Sequence, residues 1–124
     1  MNARLALALA ATFLFAAVCL GAFGSHTLRG RLAPDAVAIY QTAVQYHFWH
    51  ALGLLAVGIL LMQRPGSKAL AAAAWLLVAG LALFCGSLYA LALTDIRALG
   101  AITPFGGVAF LAAWATLAWV AWGW

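Results

Sequence analysis

The stretch at residues 40–50 reads YQTAVQYHFWH and leads directly into an apolar run at residues 51–62. If residues 40–62 form one helix that turns by about 100° per residue, several of these side chains share one face. That face holds Tyr40, Ala43, His47, His50, Leu54 and Val57, with Gly53 and Gly58 at its margins. Because it is the most polar helical surface of the chain, we predict that it turns away from lipid and towards other helices.

The composition indicates a membrane protein. Hydrophobic residues make up 69% of the chain, charged residues make up 6%, and the mean hydropathy is +1.10. A soluble domain does not have a surface of this kind, and 124 residues are enough for a few membrane crossings of roughly 20 residues each. We therefore predict an all-α, integral membrane, antiparallel four-helix bundle, with residues 1–124 as a single membrane domain.

Turn signals divide the chain into helices at about residues 5–23, 35–62, 69–93 and 104–122. The first apolar run is longer than the core of a usual signal peptide, and we expect it to remain as a membrane helix. Pro34 and Asp35 favour a helix start, and residues 63–68 predict a tight hairpin. Thr103 followed by Pro104 is typical of an N-cap and the first helical residue.

The six basic residues are scattered between the apolar runs. Scattered cations anchor helix ends at lipid headgroups and form no phosphate-binding stripe, so the net charge of +4 does not indicate a nucleic-acid-binding protein. Three of these residues fall on each side of the membrane, which leaves the orientation open. Cys19 and Cys85 each lie inside an apolar run, and we interpret them as small buried hydrophobic residues rather than as a disulfide or a metal pair.

Small residues predict where helices approach each other closely. Ala82, Gly86 and Ala90 follow one another at i+4 spacing in the third helix and predict a seam for such a contact. The other candidate packing residues are Gly21, Gly24, Gly53, Gly106 and Gly107. We expect the apolar faces to pack with copies of this chain or with a larger membrane complex.

Several motifs together resemble one known family. They are GAFGSH at residues 21–26, YQTA at residues 40–43 with Tyr46 and HAL at residues 50–52, GSLY at residues 86–89, and GAITPFGG at residues 100–107. In combination they look like the small four-helix membrane protein family of unknown function that includes bacterial inner-membrane proteins and vertebrate transmembrane protein 256. The resemblance covers nearly the whole chain. It implies a four-helix bundle in a bacterial inner (plasma) membrane, without an established activity and without catalytic residues.

Histidine and tyrosine side chains form the cluster with the most potential for binding a ligand. If the first connection brings His26 to the depth of the second helix, the polar cluster consists of His26, Tyr40, Gln41, Tyr46, His47 and His50. Imidazoles can bind zinc, copper or iron, so His26, His47 and His50 are candidate metal ligands, and haem or quinone contact is a related alternative. The competing interpretation is that the histidines hydrogen-bond to neighbouring helices while the aromatic rings form an interfacial belt. No cofactor is predicted, because the pattern has no acidic or thiol ligand beside it.

Catalysis has little support in the sequence. Glutamate is absent, and Asp35 and Asp95 lie next to helix ends. Ser25 is adjacent to His26, but a nucleophile needs a base in space and a third group that orients the base. We therefore expect a structural or accessory membrane protein, with ligand binding at the polar cluster as the alternative. A conduit for small solutes or lipids is a third hypothesis.

Overall fold

The computed structural model describes residues 1–124 as an all-helical chain without strands. Helix α1 spans Ala3–Phe23 and continues into a π-turn at Gly24–Leu28, and α2 spans Pro34–Gln63. Helix α3 at Lys68–Gly80, a second π-turn at Leu81–Cys85 and α4 at Gly86–Thr94 follow one another without a break. A 3₁₀ turn at Arg97–Ala101 leads into α5 at Thr103–Trp122.

These elements form four segments that are long and apolar enough to cross a membrane. We call them the first to fourth spans, and they are Ala3–Leu28, Pro34–Gln63, Lys68–Thr94 and Arg97–Trp122. The prediction of an all-α protein with four membrane helices is confirmed.

Local sequence explains several helix ends. The Asn2 side chain accepts a hydrogen bond from the Leu5 amide at 2.8 Å, and Ser67 caps α3 in the same way through the Leu70 amide at 3.3 Å. The prediction for Thr103 as an N-cap is wrong. Helix α5 begins at Thr103 itself and has no side-chain cap, because the Thr103 hydroxyl group lies 2.6 Å from that of Ser87 and is occupied there.

The second span lies at the centre of the bundle. Of the 18 most apolar consecutive residues in this span, 44% are buried. The corresponding shares are 17%, 33% and 22% in the first, third and fourth spans. Helix α1 packs chiefly on α2, and α3 packs chiefly on α5. The predicted inward face of α2 is confirmed, since Tyr40, Ala43, His47, His50, Leu54 and Val57 are all buried.

Both cysteines are free, but their surroundings differ. Cys85 is buried, which confirms its interpretation as a small core residue. The same interpretation is wrong for Cys19, which is exposed on α1. Helix α1 buries only Ala6, Ala10 and Ala17, so most of its surface faces lipid, where a small apolar residue is equally acceptable.

The π-turn in the third span interrupts a helix that the sequence predicts as continuous. A π-turn holds more residues than an α-helical turn and shifts the face that the following residues present. At this point the chain contacts the start of α5 very closely. A Cβ atom added at Gly106 would lie 2.7 Å from the Cα atom of Phe84, so only glycine allows these two backbones to meet.

Candidate functional site

His47 joins the second span to the third. It is 5% exposed, and its Nδ1 atom lies 2.9 Å from the hydroxyl oxygen of Tyr89 on α4. Its ring also meets the Phe13 ring of α1 edge to face, with centroids 6.2 Å apart. The Nε2 atom is buried and has no hydrogen-bond partner. His47 therefore makes one directional contact, which fixes the register of α2 against α4.

His50 faces a different neighbour. Its Nδ1 atom donates to the carbonyl oxygen of Tyr46 at 2.8 Å, because a carbonyl oxygen can only accept. Its ring stacks on Phe110 of α5, with centroids 3.5 Å apart and planes inclined by 15°. His47 and His50 thus point towards different helices, although they lie three residues apart on the same buried face of α2.

The structure does not bring His26 to the other two histidines. His26 is exposed on the π-turn after α1, whereas His47 and His50 are buried among aromatic rings. No group of three His, Cys, Asp or Glu side chains is arranged to hold a metal ion. The expectation that the three histidines meet is therefore wrong. Since His47 and His50 are enclosed by protein, a haem or quinone ring would have to displace Phe13, Tyr89 or Phe110 to reach them.

Tyr40 and Tyr46 have separate roles in the packing. Tyr40 is buried, donates its hydroxyl proton to the Leu20 carbonyl oxygen of α1 and meets Tyr89 with ring centroids 5.2 Å apart. Tyr46 stacks on Phe84 at 4.5 Å and on His50 at 5.6 Å. Tyr40 therefore joins the first span to the second, whereas Tyr46 faces the second π-turn.

A cleft of about 710 Å³ opens beside Tyr40, between the end of the first span and the start of the second. Its lining consists of Val18, Gly21, Ala22, Gly24, Ser25, Leu28, Arg29, Leu32, Val37, Tyr40, Gln41, Val44, Gln45 and Phe48. The lining ends at Phe48 and does not reach Gly53, where an added Cβ atom would lie 3.0 Å from the Trp114 ring. The cleft is therefore a recess in the side of the bundle and does not cross it.

Four polar side chains of this cleft are free to contact a ligand. Ser25, Arg29, Gln41 and Gln45 are all exposed. None of the side-chain hydrogen bonds within the chain uses these residues. Arg29 is the one charged residue in the lining, which is otherwise a mixture of apolar walls and uncharged polar groups. Such a mixture suits a molecule with a polar head and an apolar tail.

Two glycines on the inner wall of the cleft differ in the space around them. A Cβ atom added at Gly24 would collide with the Tyr40 ring, lying 3.0 Å from its Cδ1 atom and closer still to Cε1. At Gly21 the nearest atom to an added Cβ is Cγ1 of Val44, at an ordinary contact distance of 3.5 Å. Gly24 is therefore required by packing, whereas Gly21 leaves open space in the cleft.

The remaining predicted packing residues divide into two groups. Gly53, Gly106 and Gly107 lie against other helices, next to Trp114, the Phe84 backbone and the Phe84 ring. Ala82 and Gly86 are exposed, and an added Cβ atom at Gly86 would meet nothing within 4 Å. Ala90 is only half-buried. Within one chain, the predicted seam of small residues is thus not a helix contact, because its first two members lie on the outer face of the third span.

Sequence reasoning missed Arg29, Gln45 and Tyr89 as site residues. One signal was present, since Gln41 and Gln45 place two uncharged polar groups at i+4 spacing on the outer side of an apolar helix. Tyr89 carried no such signal. Its partner His47 is 42 residues away, and local periodicity does not reveal which distant side chains meet.

A family described as Protein of unknown function (DUF423) matches residues 20–107 of this chain. The chain belongs to the DUF423 family. The matched part contains both π-turns, the α2 wall of the cleft and the hydrogen-bonded pair His47 and Tyr89. It leaves out most of α1 and α5, so the lining of the cleft, apart from Val18, falls within the part of the chain that the family describes.

Relatives of this DUF423 protein are named as membrane proteins. UPF0382 membrane protein YwdK of Bacillus subtilis (strain 168) is 50% identical over 98 residues, which cover 79% of this chain and 80% of the relative. UPF0382 membrane protein SH2409 of Staphylococcus haemolyticus is 46% identical over 99 residues, or 78% of each chain. UPF0382 inner membrane protein YgdD of Escherichia coli (strain K12) is 39% identical over 117 residues, which cover 94% of this chain and 88% of the relative. No solved structure matches the chain.

These findings confirm the resemblance to the bacterial inner-membrane family of unknown function. The names of the relatives and the four apolar spans identify the DUF423 chain as an integral membrane protein of the bacterial inner (plasma) membrane, without an established activity. The link to vertebrate transmembrane protein 256 stays a prediction.

Proposed function

We propose that this DUF423 protein is an accessory protein that holds one amphiphilic molecule of the surrounding bilayer in the cleft between its first and second spans. The observation that carries the proposal is the lining of the cleft, where uncommitted polar side chains lie beside apolar walls. The volume of about 710 Å³ falls in the range of small-molecule sites, which is roughly 300–1,000 Å³.

The length of the cleft supports an occupant that lies along one leaflet. The α2 wall of the cleft runs from Val37 to Phe48, which are eleven residues apart, and this corresponds to about 16 Å of helix. One leaflet contributes about 15 Å of hydrocarbon, to which the headgroup region is added. A lipid standing upright in that leaflet would therefore run along the whole cleft.

Gln45 adds a second reason to place a polar ligand group in the cleft. It is exposed, and about three turns of α2 lie between it and Pro34. An amide group without a hydrogen-bond partner at hydrocarbon depth costs about several kcal/mol of free energy, because acyl chains can neither donate nor accept hydrogen bonds. The ester group of a lipid in the cleft would satisfy the Gln45 amide without water.

The test is the number of lipid molecules that stay bound when the protein is extracted in mild detergent and weighed by native mass spectrometry. We expect one retained lipid on the wild-type chain and loss of that lipid in Gly21→Leu, whose side chain would extend into the cleft. Ser25→Leu is a second filling variant at an exposed position. Gly86→Leu is the matched control, because it adds the same side chain on a surface with open space around it.

The outcome is decided by the two filling variants. If Gly21→Leu and Ser25→Leu remain monodisperse and keep the same lipid as wild type and Gly86→Leu, the cleft is not where the amphiphile binds. A wild-type protein that releases every lipid under these conditions would also contradict the proposal.

The exposed position of Gly86 supports a second function. In this function the third span associates with a second copy of the chain or with a larger membrane complex. Its dihedral angles, φ −59° and ψ −45°, are those of any helical residue, so its backbone does not require glycine. Glycine inside a helix lowers stability by roughly 0.5–1 kcal/mol relative to alanine. Gly24 and Gly106 offset this cost through close contacts within the chain, whereas Gly86 has none. Close approach of a helix from another molecule would account for it.

Crosslinking in native membranes tests this second function. Wild-type protein should form a defined dimer or a defined larger species, and Gly86→Leu should abolish it while Gly21→Leu leaves it intact. A wild-type chain that is a monomer by subunit counting and crosslinks to no other protein would contradict it. The two variants thus separate lipid holding from association, since each should affect only one measurement.

A further inference from the structure

We infer that the amphiphile in the cleft is an anionic phospholipid whose phosphate group binds Arg29. This inference rests on the proposed function and adds the chemical class of the ligand. Arg29 follows the last residue of the first span, Leu28, so its guanidinium group lies at the level of the lipid headgroups.

The charge of the lining selects the headgroup. Arg29 is its one charged residue, and neither of the two aspartates of the chain belongs to it. A guanidinium group that forms no hydrogen bond within the protein can bind two oxygen atoms of a phosphate side by side. The ammonium group of a zwitterionic lipid would find no carboxylate in the lining. Electrostatics therefore favours a lipid with a net negative charge, such as phosphatidylglycerol, over phosphatidylcholine.

The polar groups below Arg29 match the order of groups along a phospholipid. Ser25 lies one turn before Arg29 in the first span, and Gln41 lies about two turns into α2. Both side chains can donate hydrogen bonds to glycerol oxygen atoms, and Gln45, one turn further along α2, can donate to an ester oxygen atom. Deeper in the cleft, Val18, Val44 and Phe48 provide apolar walls for an acyl chain. Phosphate, ester and acyl chain would thus each meet residues of matching polarity.

The neighbouring arginine provides a matched control. Arg31 is exposed and lies two residues further along the same connection, but it does not line the cleft. The two arginines contribute equally to the net charge of this membrane face. A general attraction of anionic lipids to positive charge would therefore be weakened equally by Arg29→Gln and Arg31→Gln, whereas a specific site would respond only to Arg29→Gln.

The experiment measures which lipid is retained from a bilayer of known composition. Wild type, Arg29→Gln and Arg31→Gln are reconstituted into nanodiscs of equal parts phosphatidylglycerol and phosphatidylcholine, and the lipid that stays bound is identified by native mass spectrometry. We expect wild type and Arg31→Gln to retain phosphatidylglycerol, and Arg29→Gln to lose about tenfold in preference for it. Arg29→Lys should fall between them, because lysine keeps the charge but not the planar fork.

Each outcome separates the ligand class from the proposed function. Retention of one lipid with no headgroup preference, unchanged by Arg29→Gln, would overturn the inference and leave the proposed function standing. Absence of any retained lipid from wild type would overturn both. Equal loss in Arg29→Gln and Arg31→Gln would show general attraction and overturn the inference. Excess inorganic phosphate should not displace the lipid, and displacement would instead indicate a site for free phosphate.

Discussion

The two halves of the bundle are joined by different kinds of contact. We call residues 16–50 and 81–110 the loop half, because they approach the connections after the first and third spans, and we call the rest the terminal half. In the loop half, directional hydrogen bonds cross between spans, from Tyr40 to Leu20, from His47 to Tyr89 and from Ser87 to Thr103. In the terminal half, the buried residues are glycine, alanine, leucine and valine, such as Gly58, Ala6, Ala10, Leu54 and Leu70.

The loop half also contains both π-turns and the cleft. Polar contacts between membrane helices specify which residues face each other, whereas apolar contacts in lipid are less directional because acyl chains are as apolar as leucine. Side-chain hydrogen bonds in the terminal half stay within one helix, and the polar contact between its helix ends is the Arg64 guanidinium group 3.7 Å above the Trp124 ring. We conclude that apolar packing holds the helices together in the terminal half, whereas hydrogen bonds in the loop half fix the relative positions of the helices around the cleft.

The largest expected effect comes from the contact between Gly106 and Phe84. A Cβ atom at Gly106 would lie 2.7 Å from the Phe84 Cα atom, and a backbone cannot move aside as a side chain can. We expect Gly106→Ala to lower the free energy of unfolding by about 3 kcal/mol. The measurement is unfolding by SDS titration in mixed micelles.

Gly107→Ala is the control for this variant. The nearest atom to its added Cβ would be in the Phe84 ring at 3.8 Å, an ordinary contact, so we expect a change within about 0.5 kcal/mol. Equal effects of the two substitutions would show that the close backbone contact does not hold the loop half together.

An intermediate effect is expected at Gly24. An added Cβ atom would collide with the Tyr40 ring, whose hydroxyl group is held by the Leu20 carbonyl oxygen. The ring must shift and lose that hydrogen bond, so we expect Gly24→Ala to lower the free energy of unfolding by about 2 kcal/mol. Gly21→Ala should stay within about 0.5 kcal/mol.

A double variant identifies the cause. In a Tyr40→Leu background the ring is gone, and Gly24→Ala should then have a smaller effect than in wild type. If the effect of Gly24→Ala does not depend on residue 40, the collision with Tyr40 is not its origin.

The spans and the inward face of α2 could be predicted because each rests on a local pattern. Four apolar runs separated by turn residues predict four helices, and helical periodicity places Tyr40, His47 and His50 on one face. That face is the one in the chain whose polar groups mark it as different from the lipid-facing surface. The burial of these three side chains follows from the cost of exposing them to acyl chains.

The seam at Ala82 and Gly86 could not be assigned in the same way. Small residues look alike in sequence whether they face a neighbouring helix or lipid, because both surroundings are apolar. The same ambiguity explains the exposed Cys19. The π-turn at Leu81–Cys85 adds to it, since periodicity assumes a constant number of residues per turn.

The cleft was only partly predictable. Gln41 was identified from the polar stretch at residues 40–50, but the cleft also requires Val18 from the first span and Arg29 from the connection that follows it. How these residues align with α2 depends on the π-turn at Gly24–Leu28 and on the Tyr40 hydrogen bond. Neither feature follows from local composition or spacing.

The smallest expected effect tests the polar contact between His47 and Tyr89. Tyr89→Phe removes the hydroxyl group and leaves both ring nitrogens of His47 without a partner, so we expect a loss of about 1 kcal/mol of unfolding free energy. Tyr46→Phe is the control, because the Tyr46 ring is stacked but its hydroxyl group takes no part in the hydrogen bonds of the chain.

The size of this effect matters less than its difference from the control. Hydrogen bonds between membrane helices contribute about 0.6 kcal/mol on average, since the unfolded chain in lipid also finds partners. Leaving His47 unpaired in the interior raises the cost of Tyr89→Phe above that average, whereas Tyr46→Phe leaves no buried group unpaired. If both substitutions have the same effect, the hydrogen bond does not hold α2 against α4, and the two halves of the bundle would then differ in composition but not in how firmly they are joined.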